Sequence, residues 1–241
     1  MSQTNTVKAA AQAAAPVRAP AVRARKSLLA CGVIAGPFYV LVSLTQAWMR
    51  EGFDLTRHAW SLLANGSLGW IQMTNLILTG VLVIAGAAGL RSVLPPGAPS
   101  ITGRGSTWAP RLLVAYGVSM VGAGIFRADP AQGFPPGTPD TGTSTSWHGA
   151  LHFVLAGVGF LCLVAACFVL AHRFVAAGLQ GWARFSRSTA VVFLAGFLAL
   201  AASGGRVWVN LTFTAAIVLA WAWMSMALMH FHGRAARTRA A

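Results

Sequence analysis

The chain has 241 residues, 56% of them hydrophobic and only 9% charged, with a mean hydropathy of +0.64. Soluble domains carry about 25% charged residues, so this composition excludes a soluble globular protein and indicates an integral membrane protein. The formal net charge of +14 does not imply a nucleic-acid partner, because the basic residues are scattered over termini and short loops instead of lying along one surface.

Residues 1–26 are rich in Ala, Pro, Gln and Thr and carry five basic residues without an acid. Lacking apolar periodicity, they read as a disordered basic cytoplasmic tail that touches anionic lipid. Six apolar stretches follow, each near the roughly 20 residues that cross a bilayer. The expected spans are 27–49, 69–90, 108–126, 148–171, 187–204 and 207–229. The sequence thus predicts an all-α, polytopic six-helix bundle over residues 27–230, ending in a basic cytoplasmic tail, 231–241. Gly204, Gly205 and Arg206 alone separate the last two spans, which fits a tight helical hairpin. The cysteines, Cys31, Cys162 and Cys167, all fall inside spans and read as small core residues without metal-ligand spacing.

Basic residues favour cytoplasmic loops. With the N-terminus inside, fourteen Lys and Arg lie on the inner side and four outside: Arg50, Arg57, Arg127 and Arg206. Both termini are therefore expected in the cytoplasm, in the plasma or inner membrane. The same topology puts every acid outside (Glu51, Asp54, Asp129 and Asp140), together with His58, His148 and His152.

The outer segments hold the candidate chemistry. Residues 54–66 read as a short interfacial helix, capped by Asp54 and ended by a left-handed turn at Gly66. Asp54, His58, Ser61 and Asn65 then share one face. That face is either a solvated stripe or a site with a carboxylate, an imidazole and a hydroxyl. His148 and His152 are four apart at the start of the fourth span, a spacing that presents two imidazoles to one metal ion or makes an interface pair. Asp129, beside Arg127, ends the third span at Pro130 and is expected to cap or to pair with Arg127 or Arg206. Arg57, Arg127, Arg206 and Asn210 are the candidates for an anionic head group. Residues 131–147 are rich in turn formers and read as a connector in preference to a lid.

These segments resemble a family of six-helix membrane proteins, the domain of unknown function 998. His58-Ala-Trp-Ser61-Leu-Leu-Ala-Asn-Gly66 resembles its His-x-x-Ser-x-Leu segment before the second helix. Phe126-Arg-Ala-Asp129-Pro resembles its Phe-Pro-x-Asp segment, His148-Gly149 its His-Gly start of the fourth helix, and Gly204-Gly-Arg206 its Gly-x-x-Arg ending. Arg127 stands where a proline is usual, and a Pro/Gly/Thr-rich insertion precedes His148. The resemblance covers residues 27–230 and implies architecture, not activity. A more distant similarity is to the membrane hydrolases grouped with alkaline ceramidases and adiponectin-type receptors. It implies a zinc site of His58, His148 and His152, with Asp129 as base and Ser61 as the serine, although those proteins have seven spans.

Two classes of function follow. One is an integral membrane protein whose outer polar cluster is structural. The other is an enzyme acting on a lipid or other amphiphile at the outer leaflet, through zinc-activated water or without metal, with Asp129 or Asp54 donating a proton. Transport fits less well, because the spans carry almost no internal charge. The topology has a direct test: a reporter fused after Ala241 should be active only when it requires the cytoplasm, and a periplasm-type signal there would reverse the orientation.

Overall fold

A computed structural model of the chain describes residues 18–94, 101–141, 144–203 and 206–235. Six long helices make up most of it: α1 Arg18–Met49, α2 Gly69–Val93, α3 Ile101–Ile125, α4 Trp147–Ala176, α5 Gln180–Ser203 and α6 Val207–Arg234. All six are long and apolar enough to cross a membrane, so the chain is a multi-pass membrane protein. A helix needs no partner for its backbone, which is why an apolar run in lipid becomes helix. The helices overshoot the expected spans at several ends. The first begins at Arg18, inside the segment read as a tail, and the last continues to Arg234. Hydropathy locates the hydrocarbon, while helix persists into the head-group region where polar side chains still allow it. The remaining tail residues 1–17 and 236–241, and the hairpin glycines Gly204 and Gly205, lie outside the described residues.

Each helix packs on its chain neighbour, and α1 packs on α6, so the six form a closed ring in chain order. Close approach in lipid depends on small residues. A Cβ on Gly80 of α2 would stand 2.5 Å from the Gly117 carbonyl of α3, and one on Gly86 would stand 2.6 Å from the Gly32 Cα of α1. The α1–α2 seam adds a buried polar network that the sequence reading missed. Gln46 Nε2 donates to Gln72 Oε1 at 2.8 Å, Gln72 Nε2 to Ser43 Oγ at 3.1 Å, and Asn75 Nδ2 to the Tyr39 carbonyl at 3.2 Å. Interhelical bonds of this kind in a membrane contribute on the order of 0.6–2 kcal/mol each.

The two ends of the ring differ. One end carries the segments 50–68 and 126–146 and an exposed girdle of Trp48, Trp70, Trp147 and Trp208, each in the last or first turn of its helix. Indole rings settle at head-group depth, so this girdle marks a membrane surface and the two segments form a cap above it. Gly80→Val should drive a branched side chain into the α3 backbone and cost about 1–3 kcal/mol. Gly157→Ala, where a Cβ meets only Phe197 at 3.9 Å, should be near neutral. Thermal unfolding in detergent checks the pair, and equal midpoints would contradict the close packing at Gly80.

Candidate functional site

The segment expected as an interfacial helix is a turn over residues 55–57 followed by a 3-10 helix, Trp60–Ala64. Asp54 still caps locally, its Oδ1 accepting from Thr56 N at 2.8 Å and Thr56 Oγ1 at 2.7 Å. Those bonds, the hydroxyl's first, hold its carboxyl below the usual range. Gly66 takes the expected left-handed conformation, φ +75°. The expected common face does not form, because the 3-10 geometry and the turn rotate its four members apart. Asp54 faces outward, His58 and Asn65 are buried, and Ser61 is half-buried at a cavity wall.

His58 is a structural pin. Its Nδ1 accepts from the Asp54 N–H at 2.8 Å, so its Nε2–H donates to the Gln132 carbonyl, also at 2.8 Å. The ring lies against Phe53 and Phe134. Phe134 is fully buried, which makes residues 131–137 a folded part of the cap, not the expected connector; residues 142 and 143 lie outside the described residues. Gln132 at φ +58° and Gly133 at +84° turn the chain so that Phe134 points inward. Arg50, which the sequence reading left as a loop charge, donates to the Leu63 carbonyl at 3.2 Å and the Asn65 carbonyl at 2.6 Å and sits over the Phe134 ring. Its partial burial pushes the guanidinium pKa down from the ordinary value. Asn65 ties the cap to the end of α3 by donating to the Ala128 carbonyl at 3.0 Å.

Asp129 also holds structure. Its two oxygens accept from Ser146 N at 2.7 Å and Ser146 Oγ at 2.6 Å, and Ser146 Oγ in turn accepts from Gly149 N at the start of α4. A Cβ at residue 149 would run into the Asp129 carboxylate, which explains a glycine directly after His148. The Asp129 motif and the His-Gly motif are thus two halves of one helix cap. The expected pairing of Asp129 with Arg127 or Arg206 is replaced by this clasp, and both arginines are exposed. Arg57 pairs with Asp140 at 2.9 Å, with the side chains 47% and 69% exposed; such a pair contributes about 0–1 kcal/mol.

The expected metal trio does not assemble. Among the described residues no group of three or more His, Cys, Asp or Glu side chains comes together to hold an ion. His58 has both ring nitrogens committed to backbone, and His148 is exposed, its ring tilted against that of Trp147 at 3.6 Å between centroids. His152 turns the other way, into the ring, because the C-terminal carbonyls of α3 need donors. Its Nδ1 lies 3.1 Å from the Ala123 carbonyl and 2.9 Å from that of Phe126.

His152 also lines a cavity of about 430 Å³ at the centre of the ring, to which all six helices contribute. The segment Ala59-Trp60-Ser61 roofs it. Tyr39, Tyr116 and Trp221 meet ring to ring on one side, with Tyr39 5.3 Å and Tyr116 5.8 Å from Trp221. Phe160, Phe193, Phe197 and Phe213 form a second aromatic wall. Among the described residues, no Asp, Glu, Lys or Arg lines the cavity. Of the sequence candidates, Ser61, His152 and Asn210 reach it, whereas Asp54, Arg57, His58, Arg127, Asp129, His148 and Arg206 do not. The cavity itself was invisible in sequence, since its walls look like any apolar helix face.

Ser146→Ala and Asp129→Ala should each destabilise the protein by about 1–2 kcal/mol, the usual cost of losing an N-cap. The double variant should cost little more than either single one, because both remove the same clasp. Full additivity in unfolding measurements would contradict that linkage.

A family model described as "Protein of unknown function (DUF998)" matches residues 33–230. No curated protein and no solved structure matches the chain.

Proposed function

We propose that this chain, which belongs to the DUF998 family, binds an uncharged amphiphilic molecule in the centre of its helix ring. The observation that carries this reading is the cavity, fed by every helix, aromatic along its walls and without a charged side chain. Its volume lies within the range of small-molecule sites, which are mostly apolar with a few placed polar groups. Here those groups gather under the cap, at Ser61, His152 and Asn210, and the apolar body of a ligand fits among Phe160, Phe193, Phe213 and Trp221. The cap then faces outward, a placement supported by the fourteen-to-four bias of basic residues and the tryptophan girdle.

The lining does not suit an anionic head group, because Arg57, Arg127 and Arg206 stand outside the cavity. Metal-assisted hydrolysis has no support in the geometry either, since the three histidines point to different partners. A metal-free acid–base enzyme is the second reading. It is favoured by His152, whose imidazole is oriented by two carbonyls in the way a general base is oriented by its partner, beside the Ser61 hydroxyl at the same cavity end. In that reading His152 takes or returns a proton on the bound molecule.

Ala220 is buried and lines the cavity away from the polar groups. Ala220→Phe should fill the void, leave or raise the unfolding midpoint, and reduce retention of neutral lipids about tenfold. Mass spectrometry of lipids carried through purification checks this. Equal neutral-lipid content in wild type and variant would defeat the binding reading.

A further inference from the structure

The polar end of the cavity carries more information than its size. We infer that its ligand is a lipid alcohol, recognised through a free hydroxyl that donates to His152 or Asn210; this rests on the cavity-binding reading above. The argument begins with hydrogen placement. Both partners of His152 Nδ1 are backbone carbonyls, at 3.1 and 2.9 Å, and carbonyls only accept. Nδ1 therefore carries the proton, and the neutral ring is left with Nε2 as an acceptor. Asn210 is fixed by the same logic. Its amide nitrogen donates to the Leu55 carbonyl at 2.7 Å and the His58 carbonyl at 3.1 Å; the flipped amide would set oxygen against two oxygens. Its Oδ1 is thus the second acceptor. Neither acceptor has a partner among the described residues, although both side chains are at least nine-tenths buried.

The same end contains an unmatched donor. The indole N–H of Trp60 is buried without a hydrogen-bond partner, but its nitrogen has almost no accessible surface and so does not open onto the cavity. Ser61 Oγ, also at the wall, can serve either way. Two acceptors without a donor call for a neutral ligand that donates, and a hydroxyl donates one hydrogen bond, to either acceptor, while accepting up to two. A carboxylate or phosphate would set negative oxygens against two acceptors with no cation in the lining. An ammonium would sit in an apolar cavity without a carboxylate. An ether or a plain hydrocarbon would leave both acceptors unsatisfied.

The route in points to the bilayer as the source. Phe153 lines the cavity and is yet 61% exposed on the outer surface of α4. Ala201 of α5 is likewise both lining and exposed. Between them α4 carries two small residues, Ala156 and Gly157, on the cap side of the Phe160–Phe197 contact. A single-chain molecule can pass there from the outer leaflet without crossing water.

The test uses the full chain in lipid nanodiscs and three probes that share a diazirine-bearing chain: dodecanol, its methyl ether and dodecanoic acid. After photolysis, labelled peptides are mapped by mass spectrometry. The alcohol should label cavity residues of α4, α5 and α6 about tenfold more than the ether, which is the loss of roughly one donated hydrogen bond, and more than the acid. Asn210→Leu and His152→Phe should erase the alcohol-over-ether preference. Because His152 also ties α3 to α4, the wild-type probe series decides the matter without any variant. Equal labelling by alcohol and ether, or preference for the acid, would overturn the hydroxyl assignment while leaving cavity binding intact. Cavity peptides unlabelled by all three probes would remove the binding reading itself, and this inference with it.

Discussion

The cap depends on one repeated interaction, a side-chain donor meeting a backbone carbonyl that no helix can satisfy. Arg50 reaches Leu63 and Asn65, Asn65 reaches Ala128, His58 reaches Gln132, and Asn210 reaches Leu55 and His58. Irregular backbone beside a bilayer is tolerated only where its polar groups find partners in the protein. These bonds allow a non-helical segment to lie across the ring mouth. They also decide what the cavity offers, because the Asn210 amide, its nitrogen committed upward to the cap, leaves its oxygen behind. The polarity of the site is thus a by-product of how its roof is held.

Charge is distributed by the same constraint. The described acids, Glu51, Asp54, Asp129 and Asp140, stay in the cap, where Asp54 and Asp129 fix turns and Asp140 meets Arg57 at the surface. The ring interior relies on neutral amides and hydroxyls: Ser43, Gln46, Gln72, Asn75 and Thr79 between α1 and α2, and Ser61, His152 and Asn210 around the cavity. A neutral amide in hydrocarbon costs far less than an ion and can be satisfied by a neighbouring helix.

Six spans were legible because the apolar runs are long and interrupted by charge, and their number and order match the structure. Their ends were not, since helix continues past the hydrocarbon. Candidate residues divided according to direction. The four-residue spacing of His148 and His152 placed them near one another on α4, but spacing alone could not show that one ring faces outward against Trp147 while the other bends to the carbonyls of α3. Asp129 was legible as a cap and was offered as a base for the same reason, a carboxylate at a helix boundary serving either role. A readable signal was passed over in Gln46, Gln72 and Asn75, amides set in otherwise apolar runs where burial is costly. The segments that carried the family resemblance meet in space: Asp129 clasps the turn before His148-Gly149, and Asn65 of the His58–Gly66 segment donates to the Ala128 carbonyl beside Asp129.

A ring closed by its first and last helices also dictates an order of assembly. Helix α1 leaves the ribosome first, yet its face at Gly36, where a Cβ would press on Trp221 and Ser225, has no partner until α6 is inserted. Until then the tyrosine and histidine positions of the future cavity open onto lipid, and no enclosed volume exists. Enclosure is therefore the last event of biogenesis and rests on contacts that span nearly the whole chain, the kind that form slowly. A chain stopped before Val207 would hold five sound helices and no chamber.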